Sequence, residues 1–444
     1  MTHLEHALSL YEAGRYAEAL PAFRLAVKDD PMNPDIWYHA AVTAMELRDY
    51  GFATPLLQAF TRFVPNHPKA LLNLGYAHFA AGDYPASLQA YERAATLRPD
   101  SVKALLALGH LSRMLGRDVD AADYYARVMA TASAKPGDER DRALVRLALG
   151  DHARGWAEFE SRLLLPPPNP FQPRWRPAPD RRWTGGPAWG RTVCLYNQHG
   201  HGDTILFGRY LARAAERAEG PVTLMIQPAL RRLFAALPPV ARIIESPDEL
   251  DPEALSADMW SLPHLLGSDL VTDPRVIPYL HPPVSGATLA PSDRLQVGIA
   301  WAGHPGTLHD PDRSIPTVGL LAPLLAVGGV EWHSLQVGDR EGDARELSLQ
   351  PTPPVADFGD TARLLAALDL VITVDTAVAN LAGALGLPAW VLPPTFPEPR
   401  WGLQGDRTAW YPTLRLFRRT HTGDWPGVIG RVAAALTDRV AAAG

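Results

Sequence analysis

Two aspartate–threonine pairs in this sequence, Asp203-Thr204 and Asp375-Thr376, each follow an apolar run and open a helical pattern. In open α/β sheets, ligands bind at the carboxyl ends of the strands, so both pairs are expected at that edge. A carboxylate there can accept a proton from an attacking hydroxyl, and the free N–H groups of a helix start can bind a phosphate. Either aspartate could instead serve only as a helix cap, a position that favours aspartate.

The segment around Asp375 predicts a strand–helix–strand unit of a parallel sheet. Residues 370–374 form an apolar run typical of a buried strand, and residues 388–392 form the next one. The helical pattern between them is rich in small residues and ends at Gly386. We expect these small residues to let the helix backbone approach a ligand closely.

Asp203 follows a predicted strand at residues 191–196 and lies in a glycine loop at residues 200–204. Glycines in such a loop permit positive φ angles and close approach of a ligand. His199 and His201 form a His-x-His pair, but no third residue has the spacing of a metal ligand, so no metal is expected. Further strands are predicted at residues 221–227 and 242–245.

A second polar loop follows the predicted strand at residues 296–301. In chain order it contains Gly303, Gly306, Arg313 and Ser314, before a helix predicted to begin near Pro316. An arginine in such a loop suits phosphate oxygens, because its charge is fixed and its donors form a fork. A surface ion pair is the alternative for Arg313. Gln336 follows the predicted strand at residues 331–335, where it could contact a base or a ribose.

The last part of the chain predicts one more strand, at residues 414–417, and an amphipathic helix over residues 425–436. The loop before that strand contains Arg400, Trp401, Trp410 and Tyr411.

A 34-residue period organises the amino-terminal third of the chain. Triplets such as Gly14-Arg15-Tyr16 begin at positions 14, 48, 82, 116 and 150, and prolines recur at the same step. A helix, a Gly-x-Tyr turn, a second helix and a proline at this period are the signature of tetratricopeptide repeats. Each helix pair has too little core of its own, and stacking supplies it.

Stacked repeats of this kind present a concave groove, usually for a segment of another protein. Polar residues on the predicted first helices are candidates for contacting such a segment. For each of them a solvated surface is the alternative. They are Asn33, Asn73, His78 and His110.

Residues 166–190 are dense in proline, which excludes a regular helix or a central strand. We expect the tryptophans of this junction, Trp175, Trp183 and Trp189, to be packed between domains, because large apolar rings are costly to expose. The single cysteine, Cys194, is expected in the core. One cysteine excludes an intramolecular disulfide and a cysteine-based zinc site.

Composition narrows the class of protein. A length of 444 residues with 47% hydrophobic residues predicts two or three domains with packed cores. A net charge of −6 gives no support for a nucleic-acid surface. The first residues lack the features of a secretory signal, and no apolar run approaches the roughly 20 residues of a membrane span. The sequence therefore predicts a cytoplasmic protein that binds no nucleic acid and has no membrane span.

Several segments, in chain order, carry a resemblance to a known family. They are GWAEFESR at 155–162, WTG at 183–185, GHGDTILFGRY at 200–210, WAGHP at 301–305, DRSIP at 312–316, SLQ at 334–336, the stretch 357–386, and WYPTLRLFR at 410–418. Together they resemble bacterial tetratricopeptide-repeat proteins whose carboxyl half is a heptosyltransferase-like glycosyltransferase. One activity in this group is the modification of flagellin with nonulosonic sugars, and related transferases use nucleotide-linked heptose or N-acetylglucosamine.

The resemblance implies an α + α/β fold in four parts. The first is a repeat solenoid at residues 1–165, and a linker follows at residues 166–190. Two facing Rossmann-like domains complete the chain in the arrangement called GT-B, an acceptor-side domain at residues 191–290 and a nucleotide-sugar-binding domain at residues 291–444.

The resemblance also implies roles for individual residues. Asp203 matches the proposed catalytic base, Arg313 a contact to donor phosphate, and Asp375 to Ala377 the helix start that cradles a diphosphate. His201 would lie on the acceptor side, where the family more often has an aliphatic residue. The donor-binding candidates are Gly202, Thr204, Trp301, Gly303, Arg313, Ser314, Gln336, Asp375, Thr376, Ala377 and Asn380, the last at a position where the family usually has histidine.

The sequence thus predicts an inverting, metal-independent glycosyltransferase without a resident cofactor. It would move a sugar from a nucleotide-sugar to a protein, such as flagellin or another surface protein, that the repeats hold. Two alternatives remain open. One is a non-catalytic repeat scaffold whose α/β half binds a nucleotide, and the other is a transferase that acts on a glycan or lipid-linked acceptor.

Overall fold

The computed structural model describes residues 2–133, 135–166, 175–286, 288–305, 310–347, 349, 352–396 and 398–443. The chain divides into two compact units, residues 1–134 and residues 135–444, which we call the repeat unit and the α/β unit. The repeat unit is built from helical pairs, and the α/β unit carries a helical pair followed by two parallel sheets. The predicted fold class, an amino-terminal helical solenoid followed by α/β structure, is confirmed.

The described part of the repeat unit is a series of helices in which each packs on the next. They are α1 (His3–Glu12), α2 (Tyr16–Asp29), α3 (Pro34–Glu46), α4 (Tyr50–Phe63), α5 (Pro68–Ala80), α6 (Tyr84–Leu97), α7 (Val102–Met114) and α8 (Asp118–Ala130). The turn inside each pair needs a left-handed residue. Gly14, Gly82 and Gly116 supply it with φ angles of 72°, 78° and 73°, and Arg48 adopts 60° at the equivalent position. Glycine adopts this conformation without steric cost.

Close packing within each pair also follows the period. A Cβ atom on Gly75 would lie 2.9 Å from the ring of Tyr91, and one on Gly109 would lie 2.5 Å from the ring of Tyr125. Both the glycines and the tyrosines are 34 positions apart in the sequence. The same tight contact between first and second helices therefore occurs in two successive pairs, α5–α6 and α7–α8.

The α/β unit begins with another helical pair, α9 (Pro136–Ala148) and α10 (His152–Phe159). Trp156 of α10 meets the rings of Phe207 and Trp410 edge-on, with centroids 5.7 Å and 6.2 Å away. Just after α10, the fully buried Arg162 donates a hydrogen bond to Asp258 at 3.0 Å. This helical pair is thus packed into the same core as the sheets.

The first sheet is parallel, with the strand order β3-β2-β1-β4. Its strands are β1 (Val193–Tyr196), β2 (Val222–Met225), β3 (Val240–Ile244) and β4 (Leu255–Asp258). Its helices are α11 (His201–Phe207), α12 (Leu211–Ala218), α13 (Arg231–Ala235) and α14 (Leu262–Leu266). The structure confirms the predicted strands at β1, β2 and β3. The apolar pattern does not predict β4, because two of its four residues are Ser256 and Asp258.

The second sheet is also parallel, with the strand order β6-β5-β7-β8-β9. Its strands are β5 (Leu295–Ala300), β6 (Val330–Ser334), β7 (Leu370–Val374), β8 (Ala389–Leu392) and β9 (Leu414–Leu416). Its helices are α15 (Asp310–Arg313), α16 (Ala322–Leu325), α17 (Phe358–Ala366), α18 (Ala377–Ala384) and α19 (Trp425–Ala443). Alternate residues of β7 enter two apolar clusters, Val371 one and Ile372 the other, so both faces of the strand are buried. We call residues 175–286 the first lobe and residues 288–443 the second lobe.

One predicted helix start is displaced. The helix expected near Pro316 starts two residues later, with a 3₁₀ turn at Val318–Leu321 that leads directly into α16 at Ala322. The N–H of Ile315 instead donates to the carbonyl of Trp301 at 2.8 Å. A residue before proline also disfavours helical angles.

The junction tryptophans differ from one another. Trp183 is buried in the main core, and Trp175 packs edge-on against Tyr196 with centroids 5.1 Å apart. The expectation fails for Trp189, which is 82% exposed. Residues 167–174 of the predicted linker and Gly306 of the second polar loop lie outside the described residues. Cys194 is buried in β1, as predicted, and burial raises the pKa of its thiol to about 12.

Across the described residues, no helix is both long enough and apolar enough to cross a membrane.

Candidate functional site

Helices α11 and α18, one from each lobe, meet near their amino-terminal ends. A Cβ atom on Gly202 would lie 2.9 Å from Nδ2 of Asn380 and 3.5 Å from the Cα atom of Ala377. A larger residue at position 202 would therefore have to move the Asn380 side chain. The loop after β1 and the loop after β7, which carry the two predicted aspartates, are therefore neighbours across the lobe boundary.

Asp203 occupies the first turn of α11, and both of its carboxylate oxygens are engaged. Oδ2 accepts the backbone N–H of Gly200, the N-cap residue of α11, at 3.0 Å, so Asp203 supports the helix start from the third helical position and is not the N-cap aspartate of the alternative. Oδ1 accepts a hydrogen bond from Nη2 of Arg400 at 2.7 Å. The side chain is 12% exposed. Asp203 thus both supports the start of its helix and faces a cation of the second lobe.

Arg400 lies in the loop that follows β8 and contacts a second carboxylate. Its Nε donates to Oε1 of Glu398 at 2.8 Å, so one guanidinium bridges Glu398 and Asp203. Burial disfavours the charged guanidinium, but Glu398, Asp203 and Asp375 outweigh it and raise the pKa of Arg400 well above its usual value. Burial raises the pKa of Glu398, and the carboxylates of Asp375 and Asp203 act in the same direction against the opposing Arg400.

Asp375 and Arg313 form a second pair beside the start of α18. Nη2 of Arg313 donates to the backbone carbonyl of Asp375 at 2.7 Å, and Nε lies 3.4 Å from the carboxylate. The other carboxylate oxygen, Oδ1, is buried, and no described residue donates a hydrogen bond to it. The capping residue of α18 is Thr376, whose side chain contacts Thr373 at 3.1 Å rather than capping the helix N–H groups.

The small residues of α18 do not serve the purpose that the sequence suggested. Gly383 lies directly against the ring of Tyr411, where a Cβ atom would collide, and α18 is buried from Val378 to Ala384. Asn380 is 1% exposed and uses both ends of its amide internally. Its Nδ2 donates to the carbonyl of Thr376 at 3.2 Å, and its Oδ1 accepts from the Tyr411 hydroxyl at 3.2 Å. Small residues here permit packing between helix and ring.

Three further donor-binding candidates are buried and interact with other residues of the protein. Thr204 is fully buried, accepts from Asn197 at 2.7 Å and donates to Gln227 at 2.8 Å. The Gln336 amide accepts from the backbone of Trp301 and Ala302 and donates to the carbonyls of Ala302 and Val337. Its hydrogen-bonding capacity is used, so it does not extend to a base or ribose as predicted. Trp301 is fully buried in the core of the second sheet.

Gly303 and Ser314 hold the start and end of one loop together. The Ser314 hydroxyl accepts the N–H of Gly303 at 2.9 Å and donates to Asp310 at 2.5 Å. Ser314 is buried, and its hydroxyl links Gly303 to Asp310 in α15, the helix that ends at Arg313.

His201 is half-buried at the start of α11, and its ring lies 5.0 Å from that of Phe358 in the second lobe. Burial lowers the pKa of His201. A neutral imidazole in this position forms part of the contact between the lobes.

An ion pair holds the lobes together beside α17. Nη2 and Nε of Arg232, from α13, donate to the two carboxylate oxygens of Asp357 at 2.7 Å and 3.0 Å, and the same guanidinium also contacts Asp360. The buried Arg209 of the first lobe also donates to the carbonyl of Trp410, in the second lobe, at 2.7 Å. The lobe boundary is therefore fixed at several points around Asp203.

The groove candidates of the repeat unit have varied surroundings. Asn33 lies just before α3, not on it, and caps that helix by accepting the N–H of Asp35 at 3.1 Å. His78 is 8% exposed, with ring nitrogens 3.3 Å from Gln58 and 3.4 Å from Asp83. Asn73 on α5 is half-buried, and His110 on α7 is half-buried with its ring 6.1 Å from that of Tyr125.

Sequence reasoning missed Glu398 and the contact between Arg400 and Asp203. Arg400 was recognised only as part of a loop, because the residues that it contacts are far apart in the chain. The available signal was the tripeptide Glu398-Pro399-Arg400, a charged pair soon after the buried strand β8. Within the described ranges, no group of three or more histidine, cysteine, aspartate or glutamate side chains could hold a metal ion.

Comparisons with known proteins agree with the repeats. The tetratricopeptide repeat family model matches residues 4–68, 40–102 and 72–138. Protein FlbA of Caulobacter vibrioides is 26% identical over 97% of this chain and 72% of its own length.

Two solved structures are similar to part of the chain. The crystal structure of MamA is 20% identical, with a TM-score of 0.30, over 36% of this chain and 92% of that one. A thermophilic TPR protein of Thermus thermophilus, TTC0263, is 21% identical, with a TM-score of 0.31, over 38% of this chain and 91% of that one.

Proposed function

We propose that this protein is a glycosyltransferase that moves a sugar from a nucleotide-sugar to a hydroxyl of an acceptor protein, with inversion at the anomeric carbon and without a metal. The reaction takes place between the two lobes, in an arrangement of the GT-B type. The observation that carries the proposal is the meeting of α11, which bears Asp203, and the start of α18 across the lobe boundary, where a Cβ atom on Gly202 would lie 3.5 Å from the Cα atom of Ala377.

The second lobe offers what a nucleotide-sugar requires. Arg313 lies against the backbone of Asp375, next to the start of α18, whose N–H groups are not capped by Thr376. A fixed cation and a helix start together stabilise the negative charge that develops on a departing phosphate. The buried Oδ1 atom of Asp375 lacks a hydrogen-bond donor among the described residues, and a hydroxyl of the donor would satisfy it.

The first lobe offers the proton acceptor. In the proposed step, the acceptor oxygen attacks the anomeric carbon, the bond from that carbon to the phosphate oxygen breaks, and the electron pair leaves with the nucleotide. The acceptor proton passes to the carboxylate of Asp203. Each oxygen of Asp203 accepts one hydrogen bond, which leaves capacity for the acceptor hydroxyl.

The repeats hold the protein acceptor in this proposal. Tetratricopeptide repeats commonly bind protein segments, and binding on the same chain as a catalytic site converts a weak encounter into a positioned one. The acceptor class that the resemblance suggests is flagellin or another surface protein, modified in the cytoplasm.

A specific observation favours a second candidate, a repeat scaffold whose α/β unit binds a nucleotide without catalysis. Asn380 stands where the family usually has histidine, and its amide is used within the protein, at Thr376 and Tyr411. It supplies no cation to a phosphate. Under this candidate a nucleotide binds and is not turned over.

Turnover separates the two candidates. The purified full chain is incubated with labelled nucleotide-sugars, with and without extract from the producing cells, and label on protein is followed by intact-mass spectrometry. Sugar transfer to a protein supports the enzyme. Nucleotide binding by calorimetry without turnover in either condition supports the scaffold.

Replacing Asp203 tests the assigned base. Asp203→Asn keeps one of the two acceptor oxygens, for Arg400 or for Gly200, and cannot take a proton, so the rate of transfer should fall by about 10²- to 10⁴-fold. Thermal unfolding checks that the variant is folded, and Asp293→Asn, in an exposed loop, is the matched control. Transfer at the normal rate by folded Asp203→Asn would remove Asp203 from the mechanism.

A further inference from the structure

Arg400 stands between two carboxylates that belong to different lobes. Its Nη2 contacts Asp203 of the first lobe, and its Nε contacts Glu398 of the second, at 2.7 Å and 2.8 Å. The side chains of Asp203, Arg400 and Glu398 are 12%, 15% and 22% exposed. Contacts this sheltered from water orient their partners more strongly than ion pairs on the surface do.

Asp203 depends on such a contact for its orientation. It lies on a helix of seven residues, α11, and only Oδ2 is held from within that helix, by the N–H of Gly200. Arg400 fixes the other oxygen and therefore the plane of the carboxylate. A guanidinium is suited to this task because its donors form a rigid fork.

Proton transfer would change the charge around Arg400. Once Asp203 holds the acceptor proton it is neutral, and Arg400 loses that anionic partner. A sheltered cation without a partner is costly. Glu398 is bonded to a different nitrogen, Nε, of the same guanidinium, so an ionised Glu398 keeps Arg400 paired during this step.

We propose that Arg400 is the positioning residue of the transfer reaction, which orients Asp203 from the opposite lobe, and that Glu398 neutralises Arg400 after Asp203 has taken the proton. This inference rests on the proposed function and assigns to it two residues that the sequence did not single out. It also explains why the base and its support belong to different lobes, since Asp203 is fully oriented only when the lobes are in contact.

The first test separates orientation from donor binding. Arg400→Ala should lower kcat by about 100-fold, because a small misplacement of a catalytic group has this effect, while KM for the nucleotide-sugar changes little. Arg400→Lys should also have a low kcat, because one ammonium cannot hold both carboxylates in the fixed geometry that a guanidinium provides. A rise in KM at normal kcat would make Arg400 a donor-binding residue and overturn the proposal.

Chemical rescue supplies a readout that a merely structural role would not give. Guanidinium ion, added below denaturing concentrations, should raise the kcat of Arg400→Ala by about tenfold. The same addition should leave Asp203→Asn unchanged, because that variant lacks the base. Folded Arg400→Ala that guanidinium does not accelerate would contradict the positioning role.

Glu398→Gln tests whether Glu398 neutralises Arg400 after proton transfer. It also provides a second test of the proposal if Arg400→Ala does not fold. Glutamine retains an oxygen for Nε of Arg400 but cannot carry the compensating charge. We expect kcat to fall by about tenfold with KM for the nucleotide-sugar unchanged. Normal kcat in folded Glu398→Gln would overturn the role of Glu398.

The control and the wild-type chain complete the design. Arg275→Ala removes an arginine whose side chain is 87% exposed and pairs locally with Asp273, and it should transfer sugar at the normal rate. If the wild-type chain transfers no sugar, the proposed function itself fails. If the wild type is active and the Arg400 and Glu398 variants match it, only this inference fails.

Discussion

In the repeat unit, equivalent sequence positions make the same contact again and again. Asn33, His67 and Ser101, each 34 positions from the next, cap the helices α3, α5 and α7 through a side-chain acceptor. In the α/β unit, the contacts that define the candidate site join distant segments, such as Asp203 and Arg400, 197 positions apart. The repeat unit is thus specified by local, periodic information, and the site by chain topology.

This contrast affects how each unit should respond to mutation. Losing a local contact in one repeat leaves the neighbouring repeats intact, because the energetics of such arrays are close to a sum over neighbours. Losing a long-range contact in the α/β unit leaves a buried partner unsatisfied at a distant position. Comparable substitutions in the two units should therefore differ in their effect.

The largest effect is expected at the buried ion pair between Arg162 and Asp258. Their side chains are 0% and 2% exposed, so Arg162→Met should lower the free energy of unfolding by about 3–5 kcal/mol by leaving a buried carboxylate without its cation. In the repeat unit, Arg24→Ala breaks a pair whose side chains are 48% and 37% exposed, and should cost about 0–1 kcal/mol.

The loss of stability in Arg162→Met is measured by urea unfolding followed by tryptophan fluorescence, because every tryptophan except Trp37 lies at position 156 or beyond. The loss in Arg24→Ala is measured by hydrogen exchange of α2 and α4. Adding Asp258→Asn to Arg162→Met should recover part of the loss. Equal losses for Arg162→Met and Arg24→Ala would erase the distinction between the two units.

An intermediate effect is expected where glycine lies against a tyrosine ring in both units. Gly109→Ala, against Tyr125, and Gly383→Ala, against Tyr411, should each cost about 1–3 kcal/mol through overpacking. Gly430→Ala on α19 is the matched control, because no atom lies within 4 Å of the added Cβ. It should instead stabilise by up to about 1 kcal/mol through helix propensity.

These three variants are compared by urea unfolding, with hydrogen exchange to locate the effect of Gly109→Ala. Because Gly383 lies on α18, its substitution should also weaken nucleotide binding, measured by calorimetry, whereas Gly109→Ala should not. Unchanged stability in Gly383→Ala would mean that the Tyr411 ring moves aside without cost.

The smallest effect is expected at Arg48, the non-glycine residue at the repeated turn. Its φ of 60° costs about 1–2 kcal/mol in a residue with a side chain, and glycine loses about 0.5–1 kcal/mol through chain entropy. Arg48→Gly should therefore stabilise the repeat unit by about 0.5–1 kcal/mol. Gly82→Arg, at the equivalent turn, should destabilise it by a similar amount, as hydrogen exchange across α3 to α6 can measure. A loss of stability in Arg48→Gly would indicate that the arginine side chain contributes more than its backbone costs.

Much of the fold is predictable because its signals are local. The period of the repeats, the apolar runs of β1, β5, β7 and β8, and the helix stop at Gly386 each depend on neighbouring residues. The exceptions have physical reasons as well. Strand β4 is too polar to show an apolar run. The helix expected near Pro316 starts only at Val318, after Ile315 has donated its N–H to the carbonyl of Trp301.

The site was predictable only in part. The positions of Asp203 and Asp375 after buried strands follow from sequence, because parallel strands place their carboxyl ends at one edge. The sequence does not predict that the side chains of Gln336 and Thr204 are used in internal hydrogen bonds, because most of their partners lie in other segments of the chain. The sequence also does not predict a role for Glu398, because that role depends on Arg400, which also contacts Asp203 in the first lobe.

The sequence by itself determined the repeats, the strands other than β4, and the two aspartates at strand ends, since these depend on periodicity and on residues close in the chain. Tertiary structure alone decided that Gly202 lies against α18, that the Asn380 amide is hydrogen-bonded within the protein, and that Arg400 bridges Asp203 and Glu398. The reason is that a contact between segments nearly 200 residues apart is set by how two sheets pack together, which no local pattern encodes.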